Sequence, residues 1–103
     1  MIDTNCFRSN KVRAVFTVLE NQPRKLFLTG REAQTLGWLA LKGEAGVTAL
    51  EVSTWALRLA AYVHLLRHKH NLAIVTAREP HEGGEHARYA LAVKVDIEAV
   101  QQL

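Results

Sequence analysis

The residues best suited to chemistry in this chain are positively charged, and they are concentrated in one stretch. No aspartate or glutamate occurs between Val52 and Arg78, although the whole chain of 103 residues carries 10 acids against 13 lysines and arginines. One basic element in a mixed-charge background is typical of a surface that binds phosphate groups. The basic and imidazole side chains of this stretch are Arg58, His64, Arg67, His68, Lys69, His70 and Arg78.

Histidines suggest a second chemistry, metal binding, which the neighbouring residues do not favour. His64 and His68 are four residues apart, a spacing that places two imidazoles on one helical face. No cysteine lies near them, and solvated histidines are far more common than metal ligands. The sequence therefore predicts no metal and no cofactor. The same holds for a second cluster beside a glycine pair, formed by His81, Glu82, Glu85 and His86.

Catalytic motifs are missing from the sequence. It contains no G-x-S-x-G, no glycine-rich phosphate loop followed by lysine, and no carboxylate pair embedded in apolar sequence. Cys6 is the only cysteine, so no internal disulfide can form, and no obvious base accompanies it. We therefore do not expect an enzyme.

The composition indicates a single globular domain. Apolar residues make up 49% of the chain, charged residues 22%, and the net charge is +3, which is compatible with a packed core. No apolar run approaches the ~18 residues that a membrane-spanning helix needs. The N-terminus lacks the apolar region of a signal peptide. We expect a cytoplasmic protein with no membrane contact.

The first part of the chain is predicted to form a β-hairpin and a helix. Residues 1–10 are polar and irregular, and we expect them to be flexible. Lys11–Glu20 fits helical and strand periodicity equally well, but its β-branched residues favour a strand that pairs with Lys25–Thr29. A T-x-x-E capping box at Thr29–Glu32 then predicts a helix to about Lys42, with the following glycine as its end.

Two further helices are predicted between Gly46 and His68. A second T-x-x-E box at Thr48–Glu51 predicts a helix of barely two turns. Ser53 or Thr54 would end that helix and cap the next one, which runs from about Ala56 to His68. The residues expected to bury its inner face are Leu59, Val63 and Leu66, together with Ala60.

The last part of the chain is predicted to form a second β-hairpin. Leu72–Arg78 has high strand propensity, Arg88–Val95 alternates apolar and polar residues, and Gly83-Gly84 suits a tight tip. Asp96 is expected to cap a short helical turn in the tail. The predicted fold class is α+β, with one domain at residues 11–95 and a tail at residues 96–103.

These elements resemble the winged helix-turn-helix domains of small phage and prophage proteins. The resemblance is carried by G-V-T-x-L-E at Gly46–Glu51, R-L-A-A at Arg58–Ala61 and A-R-Y-x-L at Ala87–Leu91, and it covers roughly Leu28–Leu91. It implies a three-helix core, an N-terminal strand or hairpin, and a C-terminal β-hairpin wing. One departure is the turn before the last helix, Ser53-Thr54-Trp55-Ala56, where such domains often have glycine.

The resemblance also implies how the chain would bind DNA. The third helix would enter the major groove, where Arg58 is suited to a bidentate contact with guanine. Tyr62 would meet a phosphate or a thymine methyl group, and the wing would touch flanking DNA. The residues implied to contact DNA are Thr48, Ser53, Thr54, Arg58, Tyr62, Arg67, Lys69, Arg78 and Arg88.

Two functions are compatible with the sequence. The first is sequence-dependent binding of double-stranded DNA by a transcriptional regulator or DNA-processing accessory, with a homodimer supplying added affinity. The second is a winged helix that binds proteins and no nucleic acid. The acid-free stretch favours DNA binding. Glu82 and Glu85 favour the alternative, because they would place negative charge at the wing tip.

Overall fold

The computed structural model describes residues 1–52, 55 and 58–103. A 3-10 helix at Thr4–Phe7 comes first, and a second 3-10 turn at Gly43–Ala45 follows the first α-helix. The mixture of helices and strands confirms the predicted α+β class. The elements are β1 (Val12–Leu19), β2 (Arg24–Thr29), α1 (Gly30–Lys42), β3 (Val47–Thr48), α2 (Leu59–His68), β4 (Ile74–His81), β5 (Gly84–Leu91) and β6 (Lys94–Gln102).

The first sheet has three antiparallel strands in the order β2-β1-β6. The predicted N-terminal hairpin is confirmed, with β1 and β2 paired from Arg13 opposite Thr29 to Val18 opposite Arg24. Strand periodicity prevails over helical periodicity here because alternate β1 residues enter the core. Those residues are Val12, Ala14, Phe16 and Val18.

The helical turn expected after Asp96 is wrong, because residues 94–102 form β6. This strand pairs along the whole of β1, from Lys94 opposite Leu19 to Gln102 opposite Val12. The register shifts beside Val15 and Phe16, where Glu98 is the extra residue of a bulge. The bulge interrupts the alternation in the sequence, yet it lets Val95, Ile97 and Val100 all pack against the core.

Phe7 ties the N-terminal segment, which was expected to be flexible, to the hydrophobic core. Its side chain is fully buried, and its ring stacks on Phe16 at a centroid distance of 6.4 Å. The ring lies against Gly37, where an added Cβ would be 2.4 Å from ring atoms. The Phe7 carbonyl accepts hydrogen bonds from Gln34 Nε2 at 2.8 Å and Trp38 Nε1 at 3.1 Å.

Helix α1 begins and ends where the sequence predicts. It starts at Gly30, although the Thr29 side chain makes no capping hydrogen bond. Glu32, the other half of the predicted box, instead bonds to Lys69 and His70 beyond the end of α2. The helix stops at Gly43, whose φ of 54° suits glycine better than any other residue.

The predicted three-helix core is not shown, because the described residues contain only two α-helices. The box at Thr48–Glu51 does close, with Thr48 N bonded to Glu51 Oε1 and Glu51 N bonded to Thr48 Oγ1. It closes a turn rather than a helix, because Thr48 is paired in β3 and Glu51 is held by Arg88. Leu50 is exposed, so little burial supports a helix at this point.

The second sheet has the order β3-β5-β4 and contains the predicted wing. Strands β4 and β5 form a hairpin from Ile74 opposite Leu91 to His81 opposite Gly84. Gly83 at the tip has a φ of 90°, a conformation that side chains rarely adopt. The β-hairpin wing is therefore confirmed, but its second strand ends at Leu91 rather than at the predicted Val95, which belongs to β6 in the first sheet.

One hydrophobic core joins the two helices to both sheets. The buried side chains of α1, among them Leu36 and Leu39, belong to the same cluster as Val63 and Leu66 of α2 and Phe16 of β1. Within the described residues, no helix is long and apolar enough to cross a membrane.

Candidate nucleic-acid interface

Helix α2 divides into a buried face and a polar outer face. Leu59, Val63 and Leu66 are buried, as the sequence predicts. The predicted burial of Ala60 is wrong, because this residue lies on the exposed face. The predicted start of this helix at Ala56 lies outside the described residues, and the described helix begins at Leu59. Its buried face packs on the core, so the outer face is left for a partner. The exposed side chains of the helix and its flanks are Arg58, Ala60, His64, Leu65, His68 and Lys69.

The start of α2 combines several features that favour an anion. Arg58 is exposed at the N-cap position, and its carbonyl accepts a hydrogen bond from Ala61 N at 2.9 Å. No acid occurs in the first turn, and the alanines there leave the backbone accessible. The helix dipole adds positive potential at this end. In the described part of the chain, Arg58 makes no ion pair, since Glu51 pairs with Arg88.

Arg67 and Lys69, two predicted phosphate contacts, have partners within the protein. Arg67 donates to the Ile74 carbonyl at 2.7 Å and to Thr76 Oγ1 at 2.6 Å, which ties α2 to β4. Lys69 Nζ lies 3.3 Å from Glu32 Oε2, but 60% of its side chain remains exposed. Lys69 can therefore still reach an external phosphate, whereas Arg67 is held against the wing.

Glu32 is the acidic residue that pairs with the basic residues after the C-terminal end of α2. Partial burial acts to raise the pKa of its carboxyl group, but hydrogen bonds from His70 and Lys69 outweigh burial and hold the pKa below its ordinary value of 4.5. The carboxylate therefore stays charged and links α1 to the residues that follow α2.

Arg88 is the centre of a polar network at the base of the wing. Its Nε donates to Glu79 Oε2 at 2.6 Å, and its Nη1 donates to Glu51 Oε1 and to the Ala45 carbonyl. The hydrogen bond with Glu79 raises the pKa of Arg88 above its ordinary value and lowers the pKa of Glu79 below 4.5. Arg88 thus connects the hairpin to the turn before α2, and its guanidinium already has hydrogen-bond partners within the protein.

The other predicted contacts differ in accessibility. Thr48 is only 2% exposed, and its hydroxyl donates to Glu51. Tyr62 is partly buried and packs against the core, while Arg78 is exposed on β4. Ser53 and Thr54 lie outside the described residues. The structure therefore places Arg58 and Lys69 at opposite ends of α2, with Tyr62 between them, and it places Arg78 on strand β4 of the hairpin.

Several functional contacts were missed by sequence reasoning. Glu79 and His86 lie directly opposite each other across the hairpin, and Glu79 also holds Arg88. This register could have been predicted from the Gly83-Gly84 tip, because a two-residue loop determines which residues of the two strands lie opposite each other. His86 additionally meets His81, with 2.8 Å between their Nδ1 atoms. The described residues contain no group of three potential metal ligands around either histidine pair.

Comparison with protein families identifies the class of protein. The model of a family described as "Winged helix domain" matches residues 25–101. The match covers most of the chain, including both helices and the second sheet but not β1 of the first sheet, so the chain belongs to the winged helix domain family. No curated protein and no solved structure matches the chain.

Proposed function

We propose that this protein binds double-stranded DNA in a sequence-dependent way, with α2 as the recognition helix. The observation that carries the proposal is the start of α2, where an exposed arginine and two alanines coincide with a first turn that contains no acid. A helix presented in this way fits the major groove, and its first turn is the part that reaches base edges.

Arg58 is the residue proposed to read a base. Its guanidinium can donate two parallel hydrogen bonds to O6 and N7 of guanine, a contact worth ~1–3 kcal/mol of discrimination. Tyr62 lies one turn further along α2 and remains partly exposed. Its hydroxyl or ring edge is suited to a neighbouring phosphate or thymine methyl group.

Phosphate contacts are proposed for Lys69 and Arg78, whose side chains remain accessible. Such contacts orient the protein and supply affinity that is independent of sequence. Arg67 and Arg88 have a different proposed role, since each holds the wing in place from within. They would set the angle between α2 and the hairpin rather than touch DNA.

The wing tip is proposed to lie away from the phosphates. Glu82 and Glu85 are exposed there, and both would be repelled by a DNA backbone. A single recognition helix buries little surface, so a homodimer on two half-sites is proposed to reach useful affinity. A regulator of transcription or an accessory of DNA processing, of the kind found in phage and prophage proteins and acting in the cytoplasm, would use DNA in this way.

Selection of duplex DNA from a random pool tests the proposal directly. The wild-type protein should enrich a site that contains at least one strongly preferred guanine. Arg58→Ala should relax the preference at that position, and Lys69→Ala should weaken binding to all sequences alike. Arg13→Ala, which removes an exposed cation from β1, is the matched control and should change neither. Absence of any enriched sequence would contradict the proposal.

A second candidate function, protein binding without nucleic acid, is favoured by a specific observation. Phe27 is 73% exposed on β2 and Val75 is 54% exposed on β4, and both strands lie at sheet edges. Exposed apolar residues at an unpaired edge are suited to a partner strand or apolar patch. This candidate predicts no binding to duplex DNA even at low salt, together with specific retention of a protein partner that Phe27→Ser abolishes.

A further inference from the structure

A small cavity lies beside the turn that leads into α2. It has a volume of about 210 Å³ and is lined by Thr4, Asn5, Arg8, Trp38 and Trp55. Its walls come from the N-terminal 3-10 helix, from α1 and from the connection before α2. None of these residues belongs to the proposed DNA-binding surface, so the cavity has no role in the function proposed above.

Two indole rings give the cavity its aromatic character. The centroids of Trp38 and Trp55 are 6.1 Å apart, and the ring planes are inclined at 48°. Trp38 Nε1 donates to the Phe7 carbonyl at 3.1 Å. Trp55 Nε1, by contrast, is buried and has no hydrogen-bond partner among the described residues. An unsatisfied buried donor is unusual in a folded protein.

Positive charge surrounds these rings. The Arg8 side chain lines the cavity and is exposed. Arg31 Cζ lies 5.7 Å from the centroid of the Trp55 ring, and Lys42 Nζ lies 5.8 Å from the centroid of the Trp38 ring. The acid nearest in sequence, Asp3, is engaged with the Asn5 backbone N–H. The cavity is therefore aromatic and cationic at the same time.

We propose that this cavity binds a small planar ring that carries an anionic group, either a carboxylate or a phosphate. The volume exceeds the ~150 Å³ that holds a benzene molecule in an engineered apolar cavity, so one substituted ring fits. The ring would lie against the indoles, and Arg8 would pair with the anionic group through two N–H donors. The polar side chains of Thr4 and Asn5 would satisfy its remaining acceptors.

Intrinsic fluorescence tests this site without any label, because both tryptophans of the chain line the cavity. Full-length protein is titrated with benzoate, phenyl phosphate and benzamide, with excitation at the red edge of indole absorption. We expect a saturable change with benzoate or phenyl phosphate below about 10 mM, and binding of neutral benzamide at least about tenfold weaker. A response to benzoate alone or to phenyl phosphate alone identifies which anionic group the site takes.

Variants decide whether the response comes from the proposed contacts. Arg8→Ala should weaken binding of the responding anion about tenfold, since Arg8 is exposed and its loss does not disturb the core. Arg13→Ala removes a cation of similar exposure outside the cavity and should bind normally. No saturable change with either anion, equal binding of benzamide, or unchanged binding by Arg8→Ala would each overturn the proposal.

The position of the cavity connects the ligand to the recognition helix. Trp55 precedes the first residue of α2 by four positions, so an occupied cavity would alter the start of α2. This consequence rests on the proposed function, and it predicts a changed DNA affinity when the responding anion is saturating. An unchanged DNA affinity would refute the consequence. If the protein does not bind DNA at all, the fluorescence titration still reports whether the cavity binds the anion. A failure of the proposed DNA binding is therefore distinguishable from a failure of the proposed ligand site.

Discussion

The salt dependence of DNA binding gives a quantitative test of the surface around α2. Each phosphate that a protein cation neutralises lowers the slope of log K against log salt by ~0.9. Arg58 and Arg78 are exposed cations with no ion pair among the described residues. Lys69 is paired with Glu32, but most of its side chain is exposed, whereas Arg67 is held by Ile74 and Thr76. The proposed interface therefore has two or three phosphate contacts.

These contacts translate into a defined loss of affinity. A slope of about −1.8 to −2.7 means that raising salt from about 50 to about 200 mM weakens binding roughly 12-fold to 42-fold. The double variant Arg58→Ala/Arg78→Ala should reduce the magnitude of the slope by about 1.8. Fluorescence anisotropy with a labelled random duplex at several salt concentrations measures the slope for both proteins.

A matched double variant separates a local effect from a change in net charge. Arg13→Ala/Lys25→Ala removes two exposed cations from the first sheet, outside α2 and the wing. It changes the net charge by the same amount as Arg58→Ala/Arg78→Ala but should leave the slope unaltered. If both double variants lower the slope equally, binding is a diffuse charge effect and the placement of α2 in the groove is refuted.

Four further predictions concern the stability of the fold. Phe7→Ala should cost about 3–5 kcal/mol in urea unfolding, since the ring is fully buried. Gly37→Ala should cost about 1–3 kcal/mol because its Cβ would collide with the Phe7 ring. In a Phe7→Ala background the same substitution should cost almost nothing, and equal losses of stability in the two backgrounds would contradict this contact. Glu32 has a lowered pKa in the folded state, so its contribution to stability is present above pH 4.5 and is lost as the pH falls through the folded-state pKa. Glu32→Gln should therefore lower the melting temperature at neutral pH and converge with wild type in acid; a constant difference across pH would refute the ion pair. Deletion of residues 94–103 should abolish cooperative unfolding, because it removes a strand that covers the length of β1, and an intact melting transition would show that β6 is dispensable.

Local sequence was sufficient for the elements whose structure is set by local pattern. The buried face of α2 formed by Leu59, Val63 and Leu66 and the glycine-tipped hairpin follow from the spacing of apolar residues and from Gly83-Gly84. For β1 the periodicity was ambiguous, and the β-branched residues of the segment favoured the strand. The acid-free stretch from Val52 to Arg78 is likewise a property of the sequence. These features are local, so residues a few positions apart carry all the information needed.

Whether a charged residue is paired within the protein or remains accessible depended on partners that are distant in the sequence. Lys69 meets Glu32 across 37 positions, and Arg88 meets Glu51 across 37 positions. A pattern of charges cannot show which of them will be neutralised inside the protein, because ion pairing depends on distances of a few ångströms in space. The tertiary structure therefore reduced the predicted basic surface to the cations that remain accessible.

Long-range pairing also decided the state of the ambiguous segments. The tail after Asp96 has a weak local signal, and it becomes strand β6 because β1 offers an unpaired edge and Val95 can enter the core. Thr48–Glu51 carries a helix-capping motif, yet strand pairing of Thr48 and the Arg88 guanidinium hold it as a turn. The local sequence determined which hydrogen bonds could form in these segments. The packed fold decided which of them did, because burial and pairing contribute more free energy than local propensity.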